Sequence, residues 1–262
     1  MNRLTLPQEP VDGDEPVLEP DVYRLPAGAK TVTTPSFALA QTVAKRAVDD
    51  AEVAGFFGEP GTGKTHALRH FQKNNDVETI YITASPSPQS KEIFEEILLG
   101  AGYVPDDVSV RQLRRDCQLL LAEKPRALII DECQHLSYLW HQQLRSLHDH
   151  PSARFALLLV GGSNVERTLK KDPQLWSRIE MRVTFSRMEK QALLNTLAAY
   201  HPVLANTDPE LLADIDARDC GGNFRNWYHV LKLALPLLPA TKHPDRLTEQ
   251  VVRAVFAMRG IS

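Results

Sequence analysis

The chain has 262 residues, of which 43% are hydrophobic and 24% are charged, and its formal net charge is −3. These values fit a globular chain that can bury a sizeable core, and they exclude a protein that binds nucleic acid through an overall basic charge, although a local basic face stays open. The three cysteines lie far apart and show no metal-ligand spacing, which is typical of a reduced cytosolic protein.

Residues 1–34 are predicted to form a flexible N-terminal arm. They are rich in proline and acidic residues and bury too little apolar surface to offset the entropy lost on ordering. A loose tail and a strap that docks on a neighbouring subunit both stay open. The arm has no apolar signal-peptide core, and the longest apolar runs of the chain are too short to span a bilayer. We therefore expect a cytoplasmic protein without a membrane partner.

Residues 35–187 alternate between helical and strand patterns, which predicts one α/β subdomain. Helical spacing of apolar residues occurs in SFALAQTVAKRAVDDA, THALRHFQKNN, SKEIFEEILLGAG, SVRQLRRDCQLLLAEK and YLWHQQLRSLHDH. Strand patterns occur in VAGFFG, ETIYITAS, RALIIDE, FALLLVGG and RVTFS. Continuous apolar strands between helices predict a parallel sheet that is covered on both faces, a three-layer αβα fold.

The first predicted strand runs into a bend that matches the P-loop pattern G-x-x-x-x-G-K-[ST]. Glycines allow the backbone N–H groups to form an anion-binding nest at the N-terminus of the following helix. Lys64 can reach the β- and γ-phosphates of ATP, and the Thr65 hydroxyl can bind Mg²⁺. The predicted nucleotide contacts in this stretch are Gly58, Glu59, Pro60, Gly61, Thr62, Gly63, Lys64, Thr65 and His66.

The third predicted strand contains ALIIDE and ends in two acidic residues. Acids at the carboxyl end of a parallel strand face the crevice in which ligands bind. Asp131 is predicted to hold Mg²⁺, directly or through water, and Glu132 is predicted to orient and deprotonate the attacking water. Together with the P-loop, this pair predicts an ATP hydrolase in which Lys64, Glu132 and an arginine act in catalysis.

Two later segments fit the same chemistry. The turn GGSN follows a strand, so that Ser163 or Asn164 is placed to position the lytic water, and a plain strand-end turn is the alternative. Arg178 and Arg182 precede or lie in the last strand. We favour Arg178 as the finger that stabilises the transferred phosphoryl group of the next subunit, the alternative being a surface ion pair.

Residues 188–262 contain only helical patterns, which predicts a small helical lid subdomain after the sheet. The segment GGNFRNW opens one of these helices. Its Arg225 would face back toward the sheet, where a lid would place a sensor of the γ-phosphate.

The motifs GEPGTGKT, LIIDE, the polar turn after a strand, the arginine before the last strand and G-N-x-R together resemble the AAA+ ATPases, over about residues 35–240. Within that superfamily, IIDECQHL, LLLVGGSNVERTLKKDPQLWSRI and YITASPS look most like the transposition ATPases of the TnsC/TniB and MuB group. They are also similar to ExeA-type and helicase-loader ATPases.

This resemblance implies ATP-dependent assembly of a ring or helical filament on double-stranded DNA, which selects target DNA and recruits or stimulates a transposase. It also implies that basic residues after the second strand and before the acidic strand hold the DNA with little sequence preference. Those regions contain Lys91, Arg111, Arg114 and Arg115. A solvated face without DNA contact is the alternative for the arginines, which share one helical face. The alternative function is a loader or assembly ATPase that acts on a protein partner.

Overall fold

The computed structural model describes residues 25–86, 91–105 and 107–261. These residues divide into two compact units. The first contains residues 36–58 and 64–185, and the second contains residues 25–35, 59–63 and 186–261. The greater part of the predicted arm, residues 1–24, lies outside the described residues.

The first unit is built on a five-stranded parallel sheet with the strand order β2-β3-β4-β1-β5. Its strands are β1 (Val53–Gly58), β2 (Glu78–Thr83), β3 (Arg126–Asp131), β4 (Phe155–Gly161) and β5 (Ile179–Phe185). The parallel sheet that the sequence predicted is confirmed, and β5 begins earlier than its predicted RVTFS segment. Because β4 lies between β1 and β3, the P-loop and the acidic pair follow strands on either side of β4.

One helix precedes these strands and others connect them. They are α1 (Pro35–Asp50), α2 (Lys64–Asn74), α3 (Glu92–Gly100), α4 (Val110–Glu123), α5 (Tyr138–His148), α6 (Val165–Leu169) and α7 (Pro173–Trp176). The Ser109 side chain accepts a hydrogen bond from the backbone N–H of Gln112 and so caps α4. The short α6 and α7 fall in a stretch that shows no helical periodicity, since one or two turns cannot display a 3.6-residue period.

The sheet has an apolar layer on each face. On one face, Phe94, Trp140 and Leu128 belong to a large buried cluster. On the other, Phe37, Leu68 and Ile129 belong to a second cluster. Strand β3 contributes to both, because consecutive side chains of a strand point to opposite faces. This arrangement makes a three-layer αβα unit, which confirms the predicted fold class.

The second unit is helical. Its helices are α8 (Lys190–Tyr200), α9 (Pro202–Ala205), α10 (Pro209–Ile215), α11 (Phe224–Ala234) and α12 (Glu249–Arg259). They enclose a separate apolar core around Trp227, Leu231 and Leu197. Among the residues that the structure describes, no helix is both long and apolar enough to cross a membrane.

Residues 25–34, which the sequence assigned to the arm, pack on this helical unit. Leu25, Ala29 and Val32 contact its apolar core. The backbone N–H of Lys30 donates to the Tyr200 carbonyl at 2.9 Å, and His201 Nε2 lies 2.9 Å from the Ala27 carbonyl. This stretch is therefore held by its own chain, while the boundary at residue 34 stays a prediction.

Candidate functional site

The P-loop begins where β1 ends. A side chain at Gly58 would place a Cβ only 2.1 Å from the Phe185 carbonyl oxygen, so that only glycine fits between the two strands. Lys64 opens α2 and is buried, and its ammonium group donates a 2.8 Å hydrogen bond to the Gly58 carbonyl. This hydrogen bond joins the two ends of the loop through Lys64, which the sequence predicted to contact the phosphates.

The loop also leaves open space at Gly63. A Cβ added at Gly63, whose φ is 99°, would meet no atom within 4 Å. This open position lies beside Lys64 at the N-terminus of an eleven-residue helix, where backbone N–H groups and the helix dipole favour an anion. The residues present therefore fit a phosphate group.

His66, the last residue of the predicted loop set, lies in the first turn of α2. Its ring centroid is 6.1 Å from that of Phe37 on α1. Burial lowers the pKa of His66, and the nearby His70 and Lys73 lower it further. The imidazole is therefore neutral at pH 7 and offers a flat, uncharged surface beside the loop.

Asp131 and Thr65 are brought together, as the sequence predicted for a Mg²⁺ site. The Thr65 hydroxyl donates to Asp131 Oδ2 at 2.8 Å, across 66 residues of sequence. The Tyr81 hydroxyl donates to the same oxygen at 2.6 Å. Hydroxyl and carboxylate oxygens are the ligands that Mg²⁺ prefers, so this donor set fits the metal.

Glu132 has an unusual backbone conformation. Its φ and ψ are 54° and 35°, in the left-handed region that residues other than glycine rarely adopt. Its backbone N–H donates to Asp131 Oδ1 at 2.8 Å, which ties the strained peptide to the metal-site carboxylate. The Glu132 side chain is exposed, as an activator of water requires.

Gln134 links Glu132 to the turn after β4. Its amide Nε2 donates to Glu132 Oε2, and its Oε1 accepts a 3.1 Å hydrogen bond from the backbone N–H of Gly162. The neighbouring Ser163 and Asn164 are exposed, and the Asn164 side chain does not cap α6. The contact from this turn to the acidic pair thus runs through Gly162 and Gln134, and the role of Ser163 or Asn164 stays a prediction.

Loop residues 59–63 group with the helical unit, and three contacts hold them there. Arg187 Nε pairs with Glu59 Oε2 at 2.5 Å. The Asn223 amide donates to the Pro60 carbonyl at 2.8 Å, and the backbone N–H of Arg225 donates to the Gly61 carbonyl at 3.3 Å. The Arg225 side chain is exposed, and its function as a phosphate sensor stays a prediction.

The Asn223 side chain makes two hydrogen bonds, one to helix α11 and one to the P-loop. Its Oδ1 caps α11 by accepting from the Arg225 backbone N–H at 2.9 Å, while its Nδ2 holds the Pro60 carbonyl. We expect Asn223→Ala to lower the free energy of unfolding by about 1–2 kcal/mol, because both a helix cap and a loop hydrogen bond are lost. Urea unfolding measures this change. Asn195→Ala, at an exposed position of α8, is the control, and equal stability of the two variants would contradict the expectation.

The two candidate finger arginines have different surroundings. Arg178 donates from Nε and Nη2 to the two carboxylate oxygens of Asp149, each at 2.7 Å. The Arg182 guanidinium lies 3.9 Å from the ring centroid of Trp176. In the single chain, Arg178 thus makes the surface ion pair that the sequence left open as an alternative. A role of either arginine in a second subunit stays a prediction.

The four candidate DNA contacts do not form one uniform group. Lys91 is paired with Asp107 at 2.7 Å and with Glu95 at 3.2 Å, so its charge is locally balanced. Arg114 donates to the Ser146 hydroxyl at 2.5 Å and is half-buried. Arg111 and Arg115 are exposed on α4. These two arginines are therefore the members of the set most available to a polyanion.

Sequence reasoning missed two residues of this site, Tyr81 and Gln134, and assigned Asn223 no role beyond its place in the G-N-x-R motif. A signal existed for Gln134, which stands two positions after Glu132, and for Asn223, which precedes a helix as a capping residue does. No signal existed for Tyr81, because its contact depends on which strands are neighbours and on their register.

Comparison with known proteins found a matching family model and similar transposition proteins. A family model described as an AAA domain matches residues 48–169. The chain is 30% identical over 186 residues to the Mu-like prophage FluMu DNA transposition protein B of Haemophilus influenzae, an alignment that covers 66% of this chain and 61% of that protein. It is 28% identical over 243 residues to the ATP-dependent target DNA activator B of Escherichia phage Mu, which covers 90% of this chain and 75% of that protein.

Among solved structures, the crystal structure of Cdc6p from Pyrobaculum aerophilum has a TM-score of 0.71 to this chain at 17% identity, covering 92% of this chain and 71% of that one. At this identity the likeness concerns the fold alone. The chain spans less than two thirds of the Haemophilus protein's length and three quarters of the phage Mu protein's length.

Proposed function

We propose that the chain is an ATP hydrolase that binds DNA and regulates transposition, because an AAA domain model matches residues 48–169 and the chain is similar to Mu-type transposition proteins. The phage Mu relative is an ATP-dependent target DNA activator. By analogy, this chain would select or activate target DNA for a transposase in a step that depends on ATP.

A single observation carries the nucleotide part of the proposal. The P-loop hydroxyl of Thr65 lies 2.8 Å from the carboxylate of Asp131, and the exposed Glu132 follows Asp131 directly. A glycine-rich turn with no role in nucleotide binding would not require its threonine to hydrogen-bond to a carboxylate from a distant part of the chain. The arrangement supports binding of ATP with Mg²⁺ and its hydrolysis.

Each residue then has one task. Lys64 and the loop N–H groups bind the phosphates, and Thr65 and Asp131 would hold Mg²⁺. When bound, Mg²⁺ neutralises charge on the phosphate oxygens. Glu132 orients a water molecule and removes its proton. Arg225 would sense the γ-phosphate, and Ser163 or Asn164 would position the water.

We further propose that subunits assemble as a ring or filament around double-stranded DNA while ATP is bound, with Arg178 supplied to the neighbouring subunit. The exposed Arg111 and Arg115 support contact with the phosphate backbone, which carries no sequence information. Weak sequence preference and a steep loss of affinity with salt follow from this mode of binding.

Retention of the protein on long duplex DNA, measured with ATP, with ADP and without nucleotide over a range of salt, tests the proposal. We expect retention only with ATP. We also expect the double variant Arg111→Ala/Arg115→Ala to reduce the slope of log K against log salt by about 2, one for each lost phosphate contact. The control is Lys45→Ala/Arg46→Ala, which removes two exposed cations from α1.

The outcomes separate the candidate functions. Retention that needs ATP and weakens with salt supports the DNA-binding regulator. ATP binding without retention on DNA would instead favour a loader or assembly ATPase with a protein partner. A double variant with the wild-type slope would remove Arg111 and Arg115 from the DNA contact and leave the nucleotide part of the proposal intact.

A further inference from the structure

Tyr81 is a polar side chain at the centre of the acidic site that neither the P-loop nor the acidic pair accounts for. Its hydroxyl donates to Asp131 Oδ2 at 2.6 Å, within the range of a hydrogen bond strengthened by a charged acceptor. Asp131 is buried, with only 4% of its surface exposed. A buried carboxylate that is not fully hydrogen-bonded is costly, so the donor has a large effect on its orientation.

The register of the sheet puts Tyr81 there. Strands β2 and β3 are parallel neighbours, and Tyr81 pairs with Ile129. Asp131 stands two residues after Ile129 and so points to the same face of the sheet. The adjacent Ile80 and Ile82 point to the other face and are buried in its apolar core. Thr83, which pairs with Asp131 in the register, lies on the same face of β2, and it is the Tyr81 hydroxyl that reaches Asp131 Oδ2.

Among the described residues, three donors are seen to contact the Asp131 carboxylate. Oδ2 accepts from Thr65 and Tyr81, and Oδ1 accepts from the backbone N–H of Glu132 at 2.8 Å. Thr65 is also a candidate metal ligand. Tyr81 is therefore a side-chain donor to Asp131 that is not itself a candidate metal ligand.

The guanidinium group of Arg69 lies over the Tyr81 ring. The Arg69 guanidinium carbon lies 3.4 Å from the centroid of the Tyr81 ring. Arg69 belongs to α2 and stands four residues after Thr65, so both residues lie on the same face of that helix. A cation over an aromatic ring draws electron density from it and makes the hydroxyl a stronger donor.

We propose that Tyr81 is a positioning residue for the metal site: it orients the Asp131 carboxylate for Mg²⁺, and Arg69 strengthens its hydrogen bond. This inference rests on the proposed function, since it assumes that ATP and Mg²⁺ bind at the P-loop. Tyr81 does not contact the nucleotide in this assignment. Its loss should weaken the metal-dependent part of nucleotide binding and spare the metal-independent part.

The test is a Mg²⁺ titration of binding to a fluorescent ATP analogue, with a parallel measurement in EDTA. We expect Tyr81→Phe to raise the Mg²⁺ concentration at half-saturation about tenfold, the lower end of what loss of a residue supporting a metal ligand causes. Affinity in EDTA should not change. Arg69→Gln should raise the same midpoint about two- to fivefold, because the ring remains and only the cation is lost.

Tyr138→Phe is the matched control, because Tyr138 lies exposed on α5. A wild-type Mg²⁺ midpoint in Tyr81→Phe would overturn the inference. An equal loss of affinity in EDTA would overturn it too, since Tyr81 would then support the fold or the nucleotide instead. Arg69→Gln applies the same test if Tyr81→Phe does not fold. Wild-type protein that binds no nucleotide would instead refute the proposed function, which keeps the two failures distinct.

Discussion

Lys64→Ala is expected to lower the affinity for ATP about 100-fold, because the ammonium group supplies charge-assisted hydrogen bonds to two phosphates. The change also removes a hydrogen bond to a buried carbonyl, which lowers the stability of the fold. The buried ammonium group donates to the Gly58 carbonyl, and that carbonyl stands at the loop end of β1. Isothermal titration calorimetry with ATP and Mg²⁺ measures the loss.

The control for this variant is Lys73→Ala, at the exposed end of the same helix. It removes an equal charge without touching the loop. If Lys64→Ala and Lys73→Ala bound ATP equally well, the loop would not be a phosphate site, and the proposed function would lose its foundation. Circular dichroism of both proteins shows whether the variant has kept its helices.

Glu132→Gln is expected to keep ATP affinity and to reduce the hydrolysis rate by about 10²- to 10⁴-fold, the range of general acid–base catalysis. The amide has the shape of the carboxylate but cannot take a proton from water. Its oxygen can still accept the hydrogen bond that Gln134 donates to Glu132. The local structure should therefore survive the loss of the base.

This variant also tests assembly. If ATP holds the subunits on DNA and hydrolysis releases them, Glu132→Gln should stay on DNA after wild-type protein has dissociated. Release of inorganic phosphate and retention on duplex DNA are the two measurements. Glu180→Gln, at an exposed position of β5, is the control. Hydrolysis at the wild-type rate in Glu132→Gln would show that another group activates the water.

The sequence predicted the strands and the helix that carry the P-loop and the acidic pair for local reasons. The P-loop, its strand and its helix are contiguous, and Asp131 ends a strand whose apolar run is visible in the sequence. Both motifs depend on backbone geometry that a few neighbouring residues determine. The sheet class followed from the same runs, because buried parallel strands have no polar face.

What the sequence did not predict depends on long-range contacts. Tyr81 meets Asp131 because β2 lies beside β3 in one register, and a shift by one residue would turn the ring to the other face. The pairing of Lys91 with Asp107 depends on a turn between α3 and α4 that shows no motif. The packing of residues 25–34 rests on a few apolar side chains within a segment whose composition favours disorder.

The left-handed backbone at Glu132 affects which substitutions are favoured by selection for stability. A residue with a Cβ in this region costs about 1–2 kcal/mol relative to a relaxed conformation, whereas glycine adopts it freely. Selection for stability alone would thus favour glycine at this position, and the more stable protein would lack the proposed activator of water.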